Sequence, residues 1–233
     1  MSFDAFKTVL TEAFPDVTPI QLARFERMEG LYREWNAKIN VISRKDMDAF
    51  YEHHVLHSLA IAKYVSLLGE GKLTAERHTV LDLGTGGGFP GIPLAVMLPE
   101  WQFTLCDSIG KKTLVARAVA DALGLENVTV VNARAESLPG SFDFVVSRAV
   151  TSLDRFFPWV EDKFTEAVFY LKGGDINPEI ADLLRKSSLR PSAVHTWRVD
   201  SFLKGDYFSE KFVIHIEKNY LCSPKSVKYK NKR

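Results

Sequence analysis

A chain of 233 residues has room for one large domain plus an appendage, and a hydrophobic content of 46%, with 16 Phe and 4 Trp, excludes a disordered or fibrous polymer. The formal net charge of +1 is unevenly spread, because Lys225, Lys228, Lys230, Lys232 and Arg233 crowd the last nine residues with no acid between them. Two cysteines, Cys106 and Cys222, without CxxC or Cys/His ligand spacing, exclude a disulfide framework, fit a reducing compartment and give no reason to expect a metal.

The opening MSFDAFKTVL mixes charges among its apolar residues, and nothing approaches 18 uninterrupted apolar positions. The expectation is a cytoplasmic protein that neither is exported nor enters a membrane. Phe3, Phe6, Leu10 and Phe14 keep helical spacing until Pro15. Thr18 before Pro19 reads as an N-cap with proline at the first helical position, followed by an apolar face of Ile20, Leu22, Phe25, Met28, Leu31, Tyr32 and Trp35. A third helix is expected from Met47 to Leu68, which makes residues 1–70 a helical extension.

From Thr79 the texture changes to short apolar runs separated by helical stretches, the pattern of a parallel sheet built from βαβ units. Strands are expected at Thr79 to Leu83, Gln102 to Cys106, Val128 to Asn132, Phe142 to Ser147 and Ala167 to Leu171. Ser192 to Val199 and Lys211 to Glu217, with no long helical pattern between them, should form a terminal antiparallel hairpin. Residues 71–222 then form one α/β domain with a mostly parallel seven-stranded sheet, and 223–233 a basic tail suited either to phosphate contacts or to solvation.

The first strand runs into Gly84-Thr-Gly86-Gly87-Gly88-Phe89-Pro90-Gly91. So many glycines permit backbone angles closed to other residues and let a ligand approach the main chain. Gly86, Gly88 and Gly91 satisfy G-x-G-x-x-G, with Asp107 placed 21 residues after Gly86 for a ribose, so a dinucleotide is one candidate. Asp82 two residues before Gly84 gives D-x-G-x-G-x-G, the pattern of the Rossmann-like (class I) S-adenosylmethionine-dependent methyltransferases, which the strand layout also resembles. Pro90 and Pro93 favour the second candidate, since a pyrophosphate needs the free N–H groups of a helix N-terminus. Arg148 ends the fourth strand and Lys172 the fifth, at the carboxyl edge where an open α/β sheet places its ligand.

More specifically, Trp35-Asn36 with Asn40, His54 with His57-Ser58-Leu59, the string from Leu83 to Pro93, Asp107-Ser108, Gly110-Lys111-Lys112, Ser147-Arg148-Ala149 and Leu171-Lys172-Gly173 resemble the glucose-inhibited division protein B family, the ribosomal small-subunit methyltransferase G enzymes. The resemblance implies transfer of a methyl group from S-adenosylmethionine to N7 of a guanine in 16S ribosomal RNA, guanine 527 of the 530 loop, with that RNA or the small ribosomal subunit as partner. It also implies cofactor contacts from Gly84, Phe89, Asp107, Ala135, Glu136 and Arg148, while Lys172 and Arg148 are candidates for substrate contact. The family usually has an acid where this chain has His57, which by itself reads as a helix residue, as do His53 and His54. Arg24, Arg27, Arg33, Lys38, Arg44 and Lys45 either extend a basic surface or belong to a mixed solvated helix face. An RNA-binding assembly factor without turnover, or a methyltransferase for another substrate, shares the same loop.

Overall fold

The computed structural model describes residues 1–68 and 72–218. Cys222, the basic tail and the expected boundary at residues 70 and 71 lie outside the described residues. Seven strands, β1 (Thr79–Leu83), β2 (Gln102–Asp107), β3 (Val128–Asn132), β4 (Phe142–Arg148), β5 (Phe164–Gly173), β6 (Val194–Arg198) and β7 (Lys211–Glu217), form one sheet in the order β3-β2-β1-β4-β5-β7-β6. β1 to β5 pair in parallel, and β7 enters antiparallel between β5 and β6. The last pair is shorter at its start than expected, because Pro191–Ala193 form a 3₁₀ turn and β6 begins only at Val194.

Strand alternation sorts the core into two layers. Val80, Phe103, Phe144, Val146, Phe169 and Val213 face one side, whereas Leu81, Val145, Val168, Tyr170 and Ile214 face the other. The first side packs against α1 (Phe3–Ala13), α2 (Pro19–Lys38), α4 (His57–Leu67), α6 (Gly91–Met97) and α7 (Gly110–Ala122). The second side packs against α8 (Leu153–Val160) and α9 (Asn177–Lys186); α3 (Arg44–Asp48) and α5 (Lys72–Ala75) are short connectors.

The N-terminal helices share the first core layer rather than standing apart. Thr18 caps α2 with the reciprocal Gln21 contact, and Gln21 Nε2 also donates to the carbonyls of Val96 and Met97 at the end of α6. Arg24 and Arg27 donate to the carbonyls of Ala122, Leu123 and Gly124 at the end of α7, where a cation also opposes the helix dipole. Arg33 and Lys38 form exposed ion pairs with Glu29 and Glu34. These cations therefore fasten helices or sit on a mixed face. Ile20, read as part of the apolar face, is 66% exposed, because the buried stripe of α2 runs through Phe25, Met28 and Tyr32.

The helix expected from Met47 to Leu68 is not continuous. It breaks after α3 and resumes as a π-helical turn, Tyr51–Leu56, that runs into α4. The wide turn changes the helical register where His53 and His54 meet Arg148 and Tyr207, contacts that local spacing does not contain.

Candidate active site

The strand order reverses direction at β1, which pairs with β2 on one side and β4 on the other. An open α/β sheet leaves a crevice beyond the carboxyl ends of its strands at such a point. Here it is a cavity of about 490 Å³, with Gly84 after β1, Asp107 ending β2, Ala135 and Glu136 after β3, and Arg148 ending β4 in its wall. Five of the six residues expected at the cofactor thus line one space. Phe89 stands behind it, 5% exposed, with the Arg148 guanidinium 5.1 Å above its ring centroid.

The glycine-rich loop is held from both sides. Gly84 has φ +73°, and a Cβ there would lie 2.4 Å from Val150 Cγ2, so the main chain stays bare where the cavity begins. Asp82, wholly buried, receives hydrogen bonds on Oδ2 from Thr85 Oγ1 at 2.6 Å and Gly91 N at 2.8 Å. Burial pushes its carboxyl up to about 7 against those two bonds. Tyr32 of α2 donates to the Gly87 carbonyl at 2.7 Å, which ties the N-terminal helices to the loop.

Asp107 accepts Gly86 N on Oδ2 at 2.9 Å and Ile109 N on Oδ1 at 2.8 Å. Each carboxylate oxygen has more than one acceptor site, so both retain capacity for hydroxyl donors from the cavity. Ile109, Val150 and Trp159 also line the cavity and are 42%, 39% and 37% exposed. Sequence reasoning does not single out these apolar faces; the available signal is an apolar residue two positions after the acid that ends β2.

Arg148 Nη1 donates to the His53 carbonyl at 3.1 Å and Nη2 to His54 Nδ1 at 2.9 Å. Among the described residues it has no carboxylate ion-pair partner, so its half-buried charge is solvated by neutral groups and the Phe89 ring. A second cavity of about 200 Å³ adjoins the first across Arg148 and Ala149, and is lined further by Asp46, His53, His54, His57, Lys172, Tyr207 and Lys211. Ala149, at φ +50°, is the one non-glycine residue with positive φ among the described residues.

The Tyr207 ring stacks on His53 at 3.9 Å, and its hydroxyl reaches the His53 carbonyl at 3.2 Å and His57 Nδ1 at 3.1 Å. Burial, reinforced by Arg148, holds His54 down at about 3 and His57 well below the ordinary histidine value, so both rings are neutral. The three histidines read as ordinary helix residues therefore wall this cavity. Lys172 reaches its edge, but its ammonium is bonded to Glu179 Oε1 and the Thr151 carbonyl, each at 3.0 Å. Lys211 lies 4.8 Å from the Tyr207 ring centroid and has no ion pair among the described residues.

A seven-stranded sheet of this order, a glycine-rich turn after β1 and an acid at the end of β2 define the Rossmann-like, S-adenosylmethionine-dependent methyltransferase class. Solved structures share the fold. Magnesium protoporphyrin IX methyltransferase from Synechocystis PCC 6803, determined with bound S-adenosylmethionine, matches with a TM-score of 0.56 at 15% identity, covering 92% of this chain and 97% of that one. The 16S rRNA N2 G1207 methyltransferase of T. thermophilus, in complex with AdoMet and guanosine, gives 0.52 at 17% identity, covering 78% and 44%.

Residues 21–202 match the family model described as rRNA small subunit methyltransferase G, and the chain belongs to that family. Proteins called ribosomal RNA small subunit methyltransferase G from Flavobacterium psychrophilum and Christiangramia forsetii are 48% and 43% identical to it. They cover 87% and 91% of this chain and 94% and 97% of their own lengths.

Proposed function

We propose that the chain transfers a methyl group from S-adenosylmethionine to N7 of a guanine in 16S ribosomal RNA, on free RNA or on the small subunit. The observation that carries this reading is the pair of cavities meeting at Arg148 and Ala149, one sized for the cofactor and the other lined by the neutral rings of His54 and His57, by Tyr207 and by the charged side chains of Asp46, Lys172 and Lys211. The cofactor, when bound, supplies an activated methyl group on sulfur.

The protein's part is binding and alignment. Asp107 accepts hydrogen bonds from the ribose hydroxyls, and Ile109 offers an apolar face to the adenine, whose edge meets Ala135 and Glu136. Arg148, a cation without a carboxylate partner among the described residues, receives the amino-acid carboxylate beside Gly84. The base enters the second cavity, against Tyr207 and His57, with Lys211 near its phosphates. Lys172 serves the same cavity as a wall residue held by Glu179.

Ring nitrogen N7 carries its own lone pair, so the acceptor requires no general base. The half-buried, neutral His54 already accepts a hydrogen bond from Arg148 Nη2 on Nδ1, so that lone pair is not free to act as a base. N7 faces the deep groove of paired RNA, which makes an unpaired or partly assembled target the accessible one. A ribosomal substrate places the reaction in the cytoplasm, and among the described residues no helix is long and apolar enough to cross a membrane.

The test is mass spectrometry of 16S ribosomal RNA from cells with and without the gene, paired with transfer of labelled methyl in vitro. Loss of one 7-methylguanosine, restored by the purified protein, supports the reading. RNA binding without transfer would make the protein an assembly factor instead.

A further inference from the structure

Far from both cavities, strand pairing collects three metal-ligating side chains. His195 on β6 stands directly opposite His215 on β7, and Glu217 follows His215 by two residues, hence on the same face of the sheet. One donor atom from each of the three lies within 4.8 Å of the others, and His195 Nε2 is already 3.2 Å from Glu217 Oε1. The place is remote from the ligand edge: Glu217 pairs with Ala167 early in β5, whereas Lys211, near the second cavity, pairs with Gly173 at its end.

We propose that His195, His215 and Glu217 form a binding site for a divalent transition-metal ion of the zinc class, which clips the edge strand β6 to β7. Two imidazoles and a carboxylate are a zinc donor set, with a fourth position left to water. Donors bound to one zinc ion at about 2.0 to 2.2 Å stand roughly 3.4 Å apart in a tetrahedral arrangement. The widest separation must therefore contract by no more than about 1.4 Å. Side-chain rotation supplies this, since the His195 and Glu217 side chains are 44% and 55% exposed while the backbone register already aligns them.

His215 is the fixed member. It is 6% exposed, and its Nδ1 lies 3.2 Å from Tyr64 Oη on α4, which orients the ring and leaves Nε2 as the donor. A hydrogen bond to the second ring nitrogen is the usual support of a metal-bound histidine. The exposed pair provides the route of entry. β6 is an edge strand whose only strand partner is β7, where a cross-strand tie adds most. No spacing rule reveals such a site, because 19 residues separate the two histidines and only pairing of β6 with β7 joins them.

The experiment uses the full chain without an affinity tag, stripped with a chelator and titrated with Co²⁺, whose visible bands report the ligand field, and then with competing Zn²⁺. One equivalent should bind, with bands displaced by zinc, a rise in thermal midpoint and slowed amide exchange in β6. His195→Ala and Glu217→Gln change exposed side chains and should fold normally, yet each should weaken binding more than tenfold. Tyr64→Phe should weaken it about 10- to 100-fold by freeing the His215 ring. Absence of binding by the unaltered chain, or equal binding by the His195→Ala and Glu217→Gln variants, would overturn the proposal.

Discussion

Arg148 Nη2 lies 2.9 Å from His54 Nδ1, and because a guanidinium only donates, Nδ1 must be the unprotonated nitrogen of that ring. A residue at the end of β4 thus sets the tautomer of a residue in the N-terminal helices, and Arg148 lines both cavities while His54 lines the second. The His54 Nε2 is left buried with no hydrogen-bond partner among the described residues. Local order at the site depends on both halves of the chain.

Arg148→Ala should lower S-adenosylmethionine affinity roughly 10- to 150-fold, the loss of one charge-assisted bond at about 1.5 to 3 kcal/mol. RNA affinity, spread over several phosphate contacts, should change little. The same variant should raise the His54 pKa, since Arg148 is the second cause of its depression after burial. Calorimetry and the histidine NMR titration read the two effects separately. A loss confined to RNA binding would reassign Arg148 to substrate recognition.

Asp107→Ala removes more than the proposed ribose contact, because the carboxylate also holds Gly86 N and Ile109 N. Cofactor affinity should fall by at least about tenfold. Part of that loss should come from a loosened loop, visible as faster amide exchange at Gly86 in the free protein. Unchanged affinity in a folded variant would take Asp107 out of the site.

Gly84→Ala places a methyl group 2.4 Å from Val150 Cγ2 on a backbone at φ +73°. The backbone share alone should cost about 1 to 2 kcal/mol. Val150→Ala in the same chain should restore only the overlap share. Urea unfolding of the single and double variants measures both shares, and a Gly84→Ala protein as stable as the parent would contradict the geometry.

Stability should rise with pH between about 4 and 6.5. His54, held at about 3 and faced by Arg148, Asp46 and His53, stays neutral in the folded state while its unfolded counterpart protonates below about 6.5. His57, faced by Arg148, Lys211, His54 and His53, acts in the same direction. Their contribution is complete above the unfolded pKa and is lost on acidification. Asp82 opposes them: its folded pKa is raised to about 7, so its contribution is complete below about 3.8 and fades as pH rises through 7. His215, held down at about 4 chiefly by burial, acts with the two histidines, so three groups against one leave a net slope of roughly 2 to 3 kcal/mol per pH unit in the window. Unfolding free energies from pH 4.5 to 8 test the sign, and Asp82→Asn should steepen the rise.

The alternation of short apolar runs with helical stretches determined the seven strands, since period-two burial on both faces of a sheet is written in local composition. The string from Asp82 to Gly91 likewise determined the glycine-rich turn after β1, because a bare, tightly turned main chain can be built from few other residues. Thr18 and Pro19 marked the start of α2 for an equally local reason. What only the tertiary structure decided depends on partners distant in sequence. The π-helical turn at Tyr51–Leu56, the burial of His54 and His57 beside Tyr207, and the Lys172–Glu179 pair all arise from contacts that no window of neighbouring residues contains. A histidine on a helix reads as polar surface until a strand end 94 residues away brings a guanidinium against it, and the free energy of that meeting, not local propensity, sets its protonation and its place in the site.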